Sequence, residues 1–131
     1  MRIFVDSSAL IAHLDRDDRN HNRAIETFRS AAARDVLVTH NYVVVESAAL
    51  LRVRFRAEDV RTLLEDLIPA MRVTWVDQAT HQAAISAHLG SLTRKVSLVD
   101  WVSFEVMRRS RITTAFTFDR DFRAQGFEVV P

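Results

Sequence analysis

The stretch Arg2-Ile3-Phe4-Val5-Asp6-Ser7-Ser8-Ala9-Leu10 decides how this chain is read. Its apolar run is short and continuous, as in a strand buried on both faces. It stops at an acid, and Ser7 to Leu14 then takes up helical spacing. Asp6 therefore sits where a strand hands over to a helix. An aspartate there can cap the helix, and in open α/β sheets that same edge holds ligands.

Outward from this stretch the alternation repeats. Asp15 to Arg19 is a charged loop, and Asn20 or Asn22 caps a helix to about Ala33 with Ala24, Ile25 and Phe28 on its apolar face. Asp35 to Thr39 reads as a second strand, and Asn41 caps a helix through roughly Arg54. Ala57 to Met71 carries Val60, Leu63, Leu64, Leu67 and Ile68 at helical spacing, and Val73 to Val76 is a third strand. Asp77 caps a helix to about Leu92, and Ser97 caps another to about Arg109. Thr113 to Phe118 is a fourth strand, Asp119 opens a short helix ending at Gly126, and Phe127 to Val130 closes the series. Short apolar strands alternating with helices predict a three-layer α/β/α sandwich around a mainly parallel sheet.

Composition narrows the class. At 131 residues, 48% hydrophobic and 27% charged, the chain fits one domain spanning residues 1–131. Cysteine is absent, which excludes a disulfide scaffold, a thiol nucleophile and cysteine-ligated metal. With two glycines and two prolines there is no linker and no glycine-rich phosphate loop. The uncharged stretches fall far short of the ~20 apolar residues that span a bilayer, so no membrane association is expected. The N-terminus reaches Asp6 too early for a signal peptide, and a cytoplasmic location is the simplest expectation. Eighteen basic and 17 acidic residues nearly cancel, but among the basic ones only Lys95 is not an arginine. That usage suits phosphate recognition, or reflects no more than base composition.

Four acids recur at strand ends or helix starts. Asp6 follows the first strand. Glu46 has Tyr42, Val43, Ala49 and Leu50 as its helical neighbours, so its carboxylate needs an arginine such as Arg52 or Arg54, or a metal. Asp100 lies in the apolar stretch Val-Ser-Leu-Val-Asp-Trp-Val, where Ser97-x-x-Asp100 resembles a capping box. Asp119 and Asp121 follow the fourth strand, and only one of them is expected to point inward. Clustered carboxylates repel unless cations intervene. Oxygen ligands without histidine or cysteine favour magnesium or manganese over zinc. Such a site suits phosphodiester hydrolysis, since metal ions lower the pKa of an attacking water and stabilise charge on the phosphate.

The ordered motifs Phe-Val-Asp6-Ser-Ser-Ala-Leu, Val-Val-Glu46-Ser-Ala-Ala-Leu-Leu, Ser97-Leu-Val-Asp100 and Ala-Phe-Thr-Phe-Asp119-Arg-Asp-Phe resemble the PIN-domain ribonucleases, specifically the VapC-like toxins of toxin-antitoxin pairs. The resemblance covers nearly the whole chain. It implies a PIN-like fold and a magnesium-dependent endoribonuclease, with Mn2+ as an alternative ion, acting on RNA. It also implies a homodimer held inactive by a small cognate antitoxin. Carried over by position, the acids are Asp6, Glu46, Asp100 and Asp119, with Asp121 as the alternative fourth acid and Ser7 and Thr117 as supporting hydroxyls. Trp101 stands where a smaller residue is often found in the family. A nuclease acting on DNA or structured nucleic acid, and a silent PIN-like binding module, are the alternatives.

Other features carry less. The histidines, His13, His21, His40, His81 and His88, lack metal-ligand spacing with the acids and are expected to be structural or at the surface. Arg94-Lys95 and Arg108-Arg109-Arg111 read as solvated faces, with RNA phosphates as the alternative. Trp75 and Trp101 sit among apolar neighbours and are expected in the core. A phosphoacceptor module would want an acidic pair at the first strand and a lysine near the last, and a HAD-type phosphatase would want Asp-x-Asp; Asp6-Ser7-Ser8 supplies neither. The helix Ser7 to Leu14 and the region Tyr42 to Leu51 are the expected antitoxin groove.

Overall fold

A computed structural model describes residues 1–54 and 56–131. Strand β1 (Arg2–Val5) leads into α1 (Ser7–Leu14) and α2 (His21–Arg34). Then come β2 (Val36–His40), α3 (Asn41–Val53) and α4 (Ala57–Thr62). Strand β3 (Arg72–Thr74) is followed by α5 (Gln78–Leu89) and α6 (Leu98–Ser110), and β4 (Thr114–Phe116), α7 (Arg120–Ala124) and β5 (Glu128–Val130) complete the chain.

The five strands lie in the order β3-β2-β1-β4-β5, and every neighbouring pair is parallel. Phe4 registers with Val38 on one side and Ala115 on the other, which makes β1 the central strand. The chain steps from β1 to β2 to β3 in one direction, then crosses back to place β4 on the other side of β1. Right-handed crossovers put helices on opposite faces for these two halves, which gives the expected three layers. Their junction, between the carboxyl ends of β1 and β4, is the topological switch point where such sheets bind ligands.

Burial explains why β1 is so legible, since Ile3, Phe4 and Val5 are all in the core. Phe4 stacks on His40 and Phe122, and Phe122 meets Phe104 edge-on. The sheet is thereby tied to α6 and α7.

Several boundaries differ from the sequence expectation. His40, the last residue of β2, caps α3 through its ring by accepting the Val43 N–H; Asn41 instead accepts the Val76 N–H at 2.8 Å and fastens α3 to the segment that follows β3. The segment from Ala57 to Met71 is not one helix. After α4 it widens into a π-type turn over Leu63–Leu67 and tightens into a 3-10 turn over Ile68–Ala70. Pro69 has no N–H to continue the ladder, and its ring crowds the carbonyl four residues back. Helix α5 stops at Leu89, before Gly90, and not at Leu92. Trp101 is buried as expected, whereas Trp75 is 77% exposed because it lies just past the end of the edge strand β3.

Candidate active site

The site begins with Asp6. Its N–H donates to the Phe116 carbonyl at 3.1 Å, which joins the end of β1 to the end of β4. Its carboxylate caps α1, accepting the Ser8 N–H through Oδ2. The same Oδ2 takes the Ser8 hydroxyl at 2.8 Å and the Thr117 hydroxyl at 3.0 Å. These hydroxyls are themselves fixed from the loop after β4: Phe118 N–H donates to Ser8 Oγ and Asp119 N–H to Thr117 Oγ1, each at 3.0 Å. One carboxylate oxygen is thus held from three directions. The other, Oδ1, is buried and has no hydrogen-bond partner among the described residues.

An orphaned oxygen on a residue only 2% exposed is costly. Burial is the main reason that the Asp6 pKa rises from 3.8 to about 6; the hydrogen bonds from Ser8 and Thr117 oppose the rise and the charge of Asp119 adds to it. The family resemblance implies Ser7 and Thr117 as the supporting hydroxyls. Thr117 bonds to Asp6, but on the other side Ser8 is the hydroxyl that reaches it, while Ser7 lines the cavity. A serine two positions after an N-cap aspartate is the signal that marks Ser8.

Asp6, Glu46, Asp100 and Asp119 line one cavity of about 310 Å3, contributed respectively by the end of β1, the middle of α3, the first turn of α6 and the cap of α7. Asp100 donates its N–H to Ser97 Oγ at 3.1 Å, so the cap leaves its carboxylate free of the helix backbone. Burial, then the charges of Asp6 and Asp119, push its pKa to about 7. Asp119 Oδ1 accepts the Asp121 N–H at 2.9 Å. Asp121 is raised as well, by burial first and then by Asp119. Asp100, Asp119 and Asp121 each place a carboxylate oxygen within 4.8 Å of the others. Both acids after β4 therefore approach Asp100, where one was expected to turn away, although Asp119 alone of the two lines the cavity.

Glu46 is half-buried, and neither Arg52 nor Arg54 pairs with it among the described residues. Arg54 is engaged elsewhere, 2.7 Å from Asp15 and 3.8 Å from Asp18. None of the five acids has a cationic partner within 4.0 Å among the described residues. Carboxylates gathered this closely, one with a buried unsatisfied oxygen and all offering only oxygen, fit a hard divalent cation.

His40 belongs to the frame beneath the site. Its Nδ1 accepts from Val43 N–H, so Nε2 carries the proton and donates to Ser103 Oγ at 2.8 Å; Ser103 in turn donates to the Val99 carbonyl at 3.0 Å. This chain ties the start of α3 to the first turn of α6, next to Asp100. Burial drives the His40 pKa down to about 3, which keeps the ring neutral. It is a structural histidine, as expected.

The carboxylate nest at the switch point of a parallel sheet agrees with the PIN-domain pattern, which matches residues 3–128; the chain belongs to that family. Within it the chain is VapC-like. It is 35% identical over 132 aligned residues to the 23S rRNA-specific endonuclease VapC20 of Mycobacterium tuberculosis, covering 98% of each chain. The crystal structure of VapC20, described as a Sarcin-Ricin loop cleaving toxin, superposes with a TM-score of 0.89 at 33% identity, over 98% of this chain and 99% of that one. VapBC2 from Rickettsia felis, bound to a promoter DNA fragment, superposes with a TM-score of 0.74 at 8% identity, over 98% and 97% of the two chains. At that identity the likeness speaks for the fold alone. Among the described residues no helix is long and apolar enough to cross a membrane.

Proposed function

We propose that this chain is a divalent-metal-dependent endoribonuclease, the toxin of a VapBC-like pair, cutting RNA phosphodiester bonds with water as the nucleophile. One observation supports this reading above the rest: the acids at the switch point have no cationic partner among the described residues, and Asp6 keeps a buried oxygen unsatisfied. Asp6 and Asp100 are the central ligands, Glu46 supports the metal or water, and Asp119 is the fourth acid, with Asp121 as the alternative beside it. Magnesium is the expected ion and manganese its substitute, and when bound it supplies a lowered pKa for the attacking water and neutralises charge developing on the phosphate.

The chain's own residues do the rest. Ser8 and Thr117 hold one Asp6 oxygen and leave the other without a hydrogen-bond partner among the described residues. Ser97 holds the first turn of α6, so Asp100 projects from a fixed point. Asp119 orders the Asp121 backbone. No side-chain nucleophile is required.

The likeness to a 23S rRNA-specific endonuclease makes ribosomal RNA the first substrate to test. A small cognate antitoxin covers the site in the resting complex, seated over α1 and α3, and the active form is a homodimer. Purified protein is expected to cut ribosomal RNA with Mg2+ or Mn2+ and to stop in EDTA, and to lose activity when coexpressed with the antitoxin. Undiminished cleavage in EDTA, with contaminating nuclease excluded by an Asp6→Asn preparation, contradicts the proposal.

A further inference from the structure

A second cleft of about 490 Å3 lies against the acidic cavity and shares Phe118 and Asp119 with it as a common wall. Its character is opposite. Arg23 from α2 and Arg120 and Arg123 from α7 line it, all exposed, and none makes an ion pair within 4.0 Å among the described residues. The Arg23 guanidinium lies over the Phe118 ring, 5.7 Å from its centre. An arginine-rich chain has arginines everywhere, so their number alone means little. The adjoining cleft shows the difference: there Arg23 and Arg34 are accompanied by Glu26 and Asp35, whereas among the described residues Asp119 supplies the one acidic side chain of the arginine cleft.

A polyanion approaching five unpaired carboxylates is repelled unless cations hold it close by. Three guanidinium groups across the Phe118–Asp119 wall supply that hold, and each offers a planar fork matched to phosphate oxygens. A cationic groove with an aromatic ring beside it is the arrangement that grips unpaired strands, where the groove follows the backbone and rings meet bases. We propose that the cleft of Arg23, Arg120 and Arg123 seats backbone phosphates of an unpaired RNA strand immediately next to the bond being cut. The wall at Phe118 and Asp119 is then the boundary between holding and cutting. This inference rests on the ribonuclease reading and names where its substrate lies.

The test measures binding and cleavage separately. Anisotropy of a labelled 20-nucleotide unpaired RNA in EDTA reports binding, and steady-state cleavage in Mg2+ reports KM and kcat. Each single alanine variant is expected to weaken binding about 3- to 10-fold, and Arg23→Ala/Arg120→Ala/Arg123→Ala about 50-fold or more. The salt dependence should flatten by about 0.7 in log–log slope for each phosphate left without its arginine, with the kinetic loss falling on KM rather than on kcat. Arg29→Ala, on the exposed side of the same helix, is the control and should leave binding unchanged. If Arg23→Ala disturbs folding through Phe118, Arg120→Ala/Arg123→Ala carries the test from exposed positions on α7. Affinity and salt slope within twofold of the parent in the triple variant overturn the inference. Equal losses on an RNA duplex of the same sequence overturn its assignment to an unpaired strand. Cleavage with unchanged KM in the triple variant removes the cleft and leaves the ribonuclease reading; arginine-dependent binding without any cleavage in Mg2+ or Mn2+ does the reverse.

Discussion

Two groups of carboxylates in this molecule meet opposite fates. In the first, Asp15, Asp17 and Asp18 from the loop after α1 and Asp59 from α4 surround Arg54 and Arg56. Burial pulls the Asp15 carboxyl upward, but the hydrogen bond from Arg54, the Asp17 N–H and the charges of both arginines outweigh it and hold the pKa below its ordinary value. In the second, Asp6 and Asp100 are pushed to about 6 and about 7, since burial and neighbouring acids act together and, among the described residues, no arginine pairs with them. Arg54 lines the acidic cavity yet is engaged by Asp15 and Asp18. Matched charge fastens a loop to the end of α3. Unmatched charge, retained despite its cost, marks a place that fits a cation.

The comparison breaks most decisively at the proposed ligands. Asp6→Asn and Asp100→Asn keep shape and remove charge, so each is expected to lower cleavage by on the order of 1,000-fold while far-UV circular dichroism stays unchanged. Asp119→Asn is expected to cost about 10- to 100-fold and Asp121→Asn less than about 10-fold, as for a group acting on a ligand's surroundings. Turnover of RNA fragments, measured in parallel for the four variants, checks the order. Full activity in folded Asp6→Asn or Asp100→Asn removes the assignment, and a larger loss at Asp121 than at Asp119 exchanges their roles.

Much of this site was legible because chain order and strand ends place it. The apolar run at Ile3 to Val5 is central and buried, so the acid behind it necessarily lies at the carboxyl edge. Glu46 and Asp100 stood out as charges among apolar neighbours, and both line the cavity. What escaped was contact that depends on three dimensions. The pairing of Asp15 with Arg54 spans 39 positions and needs the loop after α1 to reach back to α3. Trp75 shared the apolar neighbourhood of a strand, but that strand proved to be at the edge of the sheet. Ser7 and Ser8 are both near Asp6, and only the helix geometry selects Ser8 to return its hydroxyl. The arginine cleft joins α2 to α7, which are remote in sequence.

The matched cluster responds differently to the same chemistry. Asp15→Asn withdraws the charge that Arg54 and Arg56 share, and its expected effect is on stability. The Tm should fall by roughly 3–10 °C while kcat at saturating RNA stays within about threefold of the parent. High salt should narrow the Tm difference, because much of the cluster is within reach of solvent. Differential scanning fluorimetry at low and high salt reads both. A loss of kcat with no change in Tm shows that Arg54 serves the reaction directly, and then the two groups of acids are one site.

The smallest expected effect tests the cost of the unmatched acids. Asp100 titrates near 7 in the fold against 3.8 unfolded, so the fold prefers it protonated. Its contribution is fully present below about pH 4 and is lost as pH rises through about 7; Asp6 behaves alike over a slightly lower window. His40 opposes them. Its pKa falls from 6.5 to about 3, so the stability it contributes is present above about pH 6.5 and declines as pH falls, and the lowered His13 adds to this. The overall pH profile of melting therefore sums opposing trends, and the informative quantity is the difference between Asp100→Asn and the parent in EDTA. Near pH 4 the two should melt together. By pH 8 the variant should melt about 3–8 °C higher, corresponding to about 1–2 kcal/mol after allowance for solvent screening at a half-buried group. Mg2+ should stabilise the parent more at pH 8 than at pH 5, because only the ionised carboxylates bind it, and the variant much less at either pH. If Asp100→Asn melts lower than the parent at pH 8 in EDTA, the carboxylate is compensated within the protein, and the contrast between the matched and unmatched acids no longer marks a cation site.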